Sequence, residues 1–171
     1  MSREDRSVIP TGISVHLLAD HPQLISAVGE MRWKEWGNAP GRKDLGWWVE
    51  VTAREAGRDA LPITWVAIDD RGCAVGAVGL DEFDLEERRD RSPWLVGMIV
   101  AGPLRGSGIG GMLVQKLKGC ASDRGYAEVW VATGGRAIGF YKKYGWHLFE
   151  VLDQSSGEST VLRYEVSSDD V

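Results

Sequence analysis

Cysteine is scarce: Cys73 and Cys120 are the two in 171 residues. They form no CxxC pair and have no histidine at metal-ligand spacing, which argues against a disulfide framework and a zinc site and leaves two reduced, buried thiols as the expectation. Long apolar runs are missing as well. None approaches the roughly 20 residues that cross a bilayer, and the opening Met1-Ser2-Arg3-Glu4-Asp5 lacks the apolar centre of a secretion signal. The expectation is a cytoplasmic chain with no membrane partner. There is no basic excess either: 20 Lys and Arg stand against 25 Asp and Glu, for a net charge of -5. Without a basic stripe, the electrostatic footprint of a nucleic-acid binder is absent.

What is present is material for one core. The chain is 43% hydrophobic and 26% charged, the balance of a globular protein, and its length suits one α/β core. A single domain is expected over 1–171, with its core at 8–166 and an acidic tail beyond Val166 that is expected to fray. Tryptophan is abundant. Six of the eight (Trp33, Trp36, Trp47, Trp48, Trp65 and Trp94) fall in the first 94 residues, enough for an aromatic pocket in that half.

The alternating segment Ile13-Ser14-Val15-His16-Leu17 reads as a first strand. Over 22–36, Leu24, Ala27, Val28, Met31 and Trp36 recur at helical spacing until Gly37-Asn38-Ala39-Pro40-Gly41 breaks the pattern, and a second helix is expected at 44–56. Segments 63–68 and 73–80 are β-rich and flank Asp69-Asp70-Arg71-Gly72, so they read as a hairpin. A charged loop at 81–91 precedes a buried strand at 94–100. Met112, Leu113, Leu117 and Ala121 mark a helix over 108–124 that Gly125 stops before a strand at 128–132. A short helix at 137–144 and strands at 146–152 and 160–166, around Gln154-Ser155-Ser156-Gly157, complete the chain. This order describes an α/β (α+β) fold, a mixed sheet of about seven strands with helices on both faces.

Between strand 94–100 and helix 108–124 lies Leu104-Arg105-Gly106-Ser107-Gly108-Ile109-Gly110-Gly111. Glycines let consecutive backbone N–H groups face inward at a helix N-terminus, where the helix dipole and Arg105 also favour an anion, so the turn reads as a phosphate nest. Gly106, Gly108 and Gly111 also satisfy GxGxxG, but the next strand ends in Ala132-Thr133-Gly134 without the acid that would hold a ribose. No Lys-Ser or Lys-Thr pair follows the glycines, which argues against a nucleoside triphosphate loop.

Met98-Ile99-Val100 followed by Arg105-Gly106-Ser107-Gly108-Ile109-Gly110 resembles the R/Q-x-x-G-x-G/A signature of the GCN5-related N-acetyltransferase (GNAT) superfamily. Further on, Ala137-Ile138-Gly139-Phe140-Tyr141-Lys142-Lys143-Tyr144-Gly145-Trp146 resembles its second signature, A-x-x-F-Y-x-x-x-G-F, with Trp146 in place of Phe. The resemblance implies a mostly antiparallel sheet flanked by helices and an acetyl-CoA donor. It puts the coenzyme pyrophosphate on Arg105, Gly106, Ser107, Gly108, Ile109, Gly110 and Gly111, the pantetheine arm along Met98, Ile99 and Val100, and Phe140 beside the coenzyme. It implies Tyr141 as the acid that protonates the departing thiolate. Many members have Asn where this chain has Gly134, so Thr133 or a backbone carbonyl is left to make that contact.

A primary amine with a pKa near ~10.4 must lose a proton before it attacks, at a penalty of about 4 to 5 kcal/mol at neutral pH. Asp81, Glu82 and Asp84 are the candidate bases, with Glu30 and Glu35 as outsiders, and Glu82 is the residue singled out. Backbone N–H groups at Ile99 or Val100 are expected to polarise the thioester carbonyl. Trp33, Trp36, Trp47 and Trp48 lie in the two helices that cover the acceptor in this family and suit an apolar or cationic substrate, although packing of the two helices would use the same residues. The acceptor expected is the amine of a small molecule or a peptide, with a homodimer left open. The competing expectation is a coenzyme A-binding module on the same fold without turnover.

Overall fold

The computed structural model describes residues 10–37, 41–154 and 157–170. Along the chain run β1 (Ser14–Leu17), α1 (Ile25–Arg32), α2 (Leu45–Arg54), β2 (Ile63–Ile68), β3 (Ala74–Asp81), β4 (Trp94–Val100), α3 (Ile109–Asp123), β5 (Glu128–Thr133), α4 (Ala137–Lys143), β6 (His147–Gln154) and β7 (Gly157–Glu165). The strands form one seven-stranded sheet in the order β1-β2-β3-β4-β5-β7-β6. Every adjacent pair is antiparallel except β4 and β5.

Strand β2 shows why the sheet lies between helices. All six of its residues are buried, which a strand achieves only when both faces are covered. Ile63, Trp65 and Ala67 pack in the larger core with Ile109, Leu113 and Leu117 of α3. Val66 and Ile68 join Val28 of α1 in a second core on the other face. The period of two sends alternate side chains to opposite layers.

The helical pattern over 22–36 resolves into three pieces rather than one helix. A 3-10 turn at Pro22–Leu24 leads into eight residues of α1, and a wider π-type turn, Trp33–Gly37, follows. A Cβ at Gly37 would collide with the Trp33 ring and sit 2.9 Å from Trp48 Nε1, so the close approach of the two helical segments requires glycine there. Helix α2 starts at Asp44, whose carboxylate accepts from the Trp47 N–H at 2.9 Å, a cap worth about 1 kcal/mol.

Two features break the sheet and make room for a site. The register pairs β4 with β5 at Trp94↔Trp130 alone, so these parallel strands splay apart toward their C-terminal ends. Between β3 and β4 the register passes from Gly79↔Val96 to Ala77↔Ile99. Gly97 and Met98 therefore oppose the single residue Val78, a bulge that Gly97 makes possible with φ +58°.

Two expectations change. Cys73 is exposed and Cys120 half-buried, so neither thiol is fully buried, and both are free. The stretch expected to fray carries a 3-10 turn, Ser168–Asp170, where the Asp170 carboxylate accepts from the Tyr164 hydroxyl and the Ser167 N–H. The turn at 155–156 lies outside the described residues. Among the described residues no helix is long and apolar enough to cross a membrane, and no group of three or more His, Cys, Asp or Glu could hold a metal ion.

Candidate active site

The splayed strands open a cleft of about 870 Å³, lined along β4 by residues 95–100, along β5 by residues 131–133, and at one end by the glycine turn and α4. In a sheet of this kind ligands bind outside the carboxyl ends of the strands, where neighbouring connections part.

At the turn end, Gly108 is the N-cap of α3 with φ +94° and no side-chain cap, which leaves the first-turn amides of a 15-residue helix without an intrahelical partner. Gly106 has φ +79°, and the space where its Cβ would stand is open. Arg105 extends Nη2 to Glu35 Oε2 at 2.8 Å and Nε to the Val100 carbonyl at 3.3 Å. Arg136 and Lys143 also line this end. Unpaired amides, a positive helix end and three cations suit a dianionic pyrophosphate, so the residues present fit a coenzyme A donor. Gly110 and Gly111 also line the cleft, and packing adds a second reason for glycine at both. A Cβ at Gly110 would lie 3.0 Å from the Phe140 ring, and one at Gly111 would collide with the Tyr144 hydroxyl, so these glycines let α3 and α4 close on each other. Ser107 is exposed, turns its hydroxyl to the Leu104 carbonyl at 2.5 Å, and is not among the lining residues.

Midway along the cleft, Tyr141 is 5% exposed and held edge-on by Phe140 and Trp146, with ring centroids 5.2 and 5.7 Å away. Burial, aided by the nearby Asp84 charge, pushes its hydroxyl well above the ordinary tyrosine range, so it stays a proton donor at neutral pH. Asp84 lines the same cleft. Although much of the residue touches solvent, enough protein surrounds the carboxyl that desolvation, then the charges of Asp81 and Glu55, push it up to about 6. Glu82 stands differently. It is exposed, absent from the cleft lining, and its N–H donates to Asp81 Oδ1 at 2.6 Å. Once the chain leaves β3 at Asp81, strand alternation no longer governs direction, and the loop path turns Asp84 rather than Glu82 toward the cleft.

The rest of the lining, where an acceptor is expected, comes from distant segments. Glu35 and Trp36, on the π-type turn, line the cleft; Trp33, Trp47 and Trp48 do not. Those three support it instead. Trp48 packs tilted against Trp36 and edge-on against Trp47, at 5.9 and 5.2 Å between ring centroids, and Trp33 packs at Gly37.

Residues 97–100 all line the cleft. Ile99 and Val100 are in register with Ala77 and Gly76 of β3, a ladder in which alternate residues turn their N–H away from the partner strand, whereas Gly97 and Met98 have no register partner of their own. Glycine inside an otherwise apolar strand was the available signal for this bulge. Arg136 and Lys143 carried no comparable signal, because they reach the cleft only through the packing of α4.

The Acetyltransferase (GNAT) domain model matches residues 61–148 of the sequence. No curated protein sequence matches the chain. Among solved structures, an aminoglycoside 6'-N-acetyltransferase complexed with coenzyme A has a TM-score of 0.73 at 16% identity, with 91% of this chain and 97% of that one covered. Ard1 from Thermoplasma volcanium gives 0.72 at 16% identity, covering 92% and 100%. A spermidine N-acetyltransferase SpeG chimera from Vibrio cholerae and hSSAT gives 0.70 at 12% identity, covering 91% and 96%. Identities this low speak for the fold; the matched domain model, which spans just over half of the chain from the hairpin to β6, assigns the protein to the GNAT acetyltransferase family.

Proposed function

We propose that the protein moves an acetyl group from acetyl-CoA to the amine of a small cationic acceptor, by direct attack within a ternary complex. The observation that carries this reading is that one cleft is lined by the uncapped N-terminus of α3 with Arg105, by the buried Tyr141 and by the Asp84 carboxylate.

Acetyl-CoA supplies a thioester whose carbonyl carbon is open to a neutral amine. Arg105 and the first amides of α3 hold the diphosphate and exchange the contact with Glu35 for it. Asp84 takes the ammonium proton, directly or through one water; a carboxylate near 6 is mostly ionised at neutral pH and is a better base than an ordinary one. The Met98 N–H meets the carbonyl oxygen as negative charge gathers there. Tyr141 gives its proton to the departing sulfur and is restored by the proton that the nitrogen sheds as the amide forms, while the proton taken by Asp84 passes to water. The acidic side chains Glu35 and Asp84 with the Trp36 ring favour a cationic acceptor, and an aminoglycoside and spermidine are the substrates in the names of two similar structures.

The test follows release of free coenzyme A with a panel of polyamines, aminoglycosides and peptide N-termini. Transfer to a polycationic amine is expected, and Tyr141→Phe is expected to lose about 10²- to 10⁴-fold in kcat with coenzyme binding unchanged. Tight coenzyme binding without transfer to any amine would instead favour a binding module, and equal rates in both proteins would remove Tyr141 from the chemistry.

A further inference from the structure

We propose that Arg32, outside the cleft lining, is a positioning residue of the acyl site: it holds the Gly97–Met98 peptide so that the Met98 N–H faces the cleft. The inference rests on the reading of that cleft as the site of acetyl transfer.

Arg32 is 2% exposed. A buried cation is a poor device for stability, since apolar replacements of buried ion pairs are often neutral or stabilising. Its contacts suggest another purpose. Nη1 donates to Glu55 Oε2 at 2.9 Å and to Thr52 Oγ1 at 3.2 Å, which ties the guanidinium to α2 and its C-terminal end. Nε donates to the Gly97 carbonyl at 3.2 Å, across 65 residues of sequence. The bulge and the arginine are shaped to each other. A Cβ at residue 97 would stand 2.6 Å from Nη2 and 2.8 Å from Cζ, so the guanidinium occupies the space that the missing side chain leaves.

The consequence follows from the planarity of the peptide. In a trans peptide the carbonyl oxygen and the next N–H point in opposite directions. With its oxygen taken by Arg32 from behind the strand, the Gly97–Met98 unit presents the Met98 N–H on the other side. Gly97 and Met98 both line the cleft and Arg32 does not, and the β3 register passes over both residues of the bulge. Nη2 is buried without a hydrogen-bond partner beside the same glycine.

The full-length protein is compared as wild type, Arg32→Lys, Arg32→Met and Thr52→Val, the last loosening the guanidinium without removing it. Readouts are kcat, the coenzyme A Kd by calorimetry, and the NMR chemical shift of the Met98 amide in the free protein. Arg32→Met is expected to lose on the order of 10- to 100-fold in kcat, somewhat less than outright removal of an oxyanion donor. Its coenzyme Kd should stay within about threefold, because the phosphate contacts lie elsewhere. Arg32→Lys should recover part of the rate, and the Met98 amide resonance should shift in both. If Arg32→Met does not fold, Thr52→Val decides, with a smaller loss of kcat and the same change at Met98. An unchanged Met98 amide, a full kcat, or a kcat loss matched by an equal loss of coenzyme affinity would overturn the proposal. A wild type that binds coenzyme A yet transfers nothing would sink the proposed function instead, while the Met98 readout would still judge the role of Arg32.

Discussion

The donor and acceptor halves of the cleft are built by different rules. On the proposed donor side the lining comes from one unbroken stretch, β4 through the turn into α3, with α4 closing over it, and the groups proposed to recognise the diphosphate are mostly backbone amides at a helix end. On the acceptor side Trp36 and Glu35 come from the turn after α1, and Asp84 from the 82–93 loop. That loop is held from afar. Arg88 makes a two-pronged ion pair with Glu150 of β6, at 2.7 and 3.1 Å, and Arg91 pairs with the same carboxylate while its guanidinium lies 4.8 Å from the Trp130 ring and 4.6 Å from that of Phe149. The hydrogen bond from Arg88 is the main cause that holds the Glu150 carboxyl down to about 2. Backbone recognition suits a donor whose diphosphate never changes. Side chains assembled from separate segments suit an acceptor that differs from one family member to another.

Substitutions can break each half separately. The largest effect is expected from Asp84→Asn, with kcat/KM for the acceptor falling about 10²- to 10⁴-fold while coenzyme affinity holds. Because the working form is the ionised carboxylate, raised to about 6, the wild-type rate should climb as pH rises through about 6, and the variant should lose that limb. Glu82→Gln, measured in parallel, should leave the profile as it is. A weakening of coenzyme binding by roughly 30- to 100-fold is expected from Arg105→Glu, since it replaces a charge-assisted contact to phosphate with repulsion. Calorimetry checks this, and an unchanged Kd would move the pyrophosphate off the turn. Smallest is Trp36→Ala. The loss of one half-exposed ring against a cation, about 0.5 to 1 kcal/mol, should raise the acceptor KM by about two- to fivefold and leave the donor untouched. If the coenzyme Kd moved as much as the acceptor KM, the two halves would not be separable in this way.

How far the site could be read in advance follows the same division. The proposed roles of Arg105, Gly106 and Gly108 rest on a helix-end nest, which depends on spacing within a few residues, and that of Tyr141 on the resemblance of the 137–146 segment to the second family signature. The tryptophans were legible only as a group. Trp36 faces the cleft and Trp33, Trp47 and Trp48 sit behind it, a choice made where the π-type turn rotates one ring outward. For the proposed base the sequence narrows the choice only to a short segment: Asp81, Glu82 and Asp84 are equivalent in composition, and only the course of the loop puts Asp84 in the cleft lining.

By itself the amino-acid sequence determined the order of strands and helices, the glycine turn at the start of α3, and the Phe140-Tyr141 pair, because each depends on interactions within a few residues along the chain. Tertiary structure alone decided that β4 and β5 part, that β4 bulges at Gly97 against a buried Arg32, and that Asp84 shares a cleft with Tyr141. The physical reason is sequence separation. Groups tens of residues apart meet only after the sheet has paired and the helices have covered it, and a carboxyl acquires a raised pKa only from burial and neighbouring charges that packing creates.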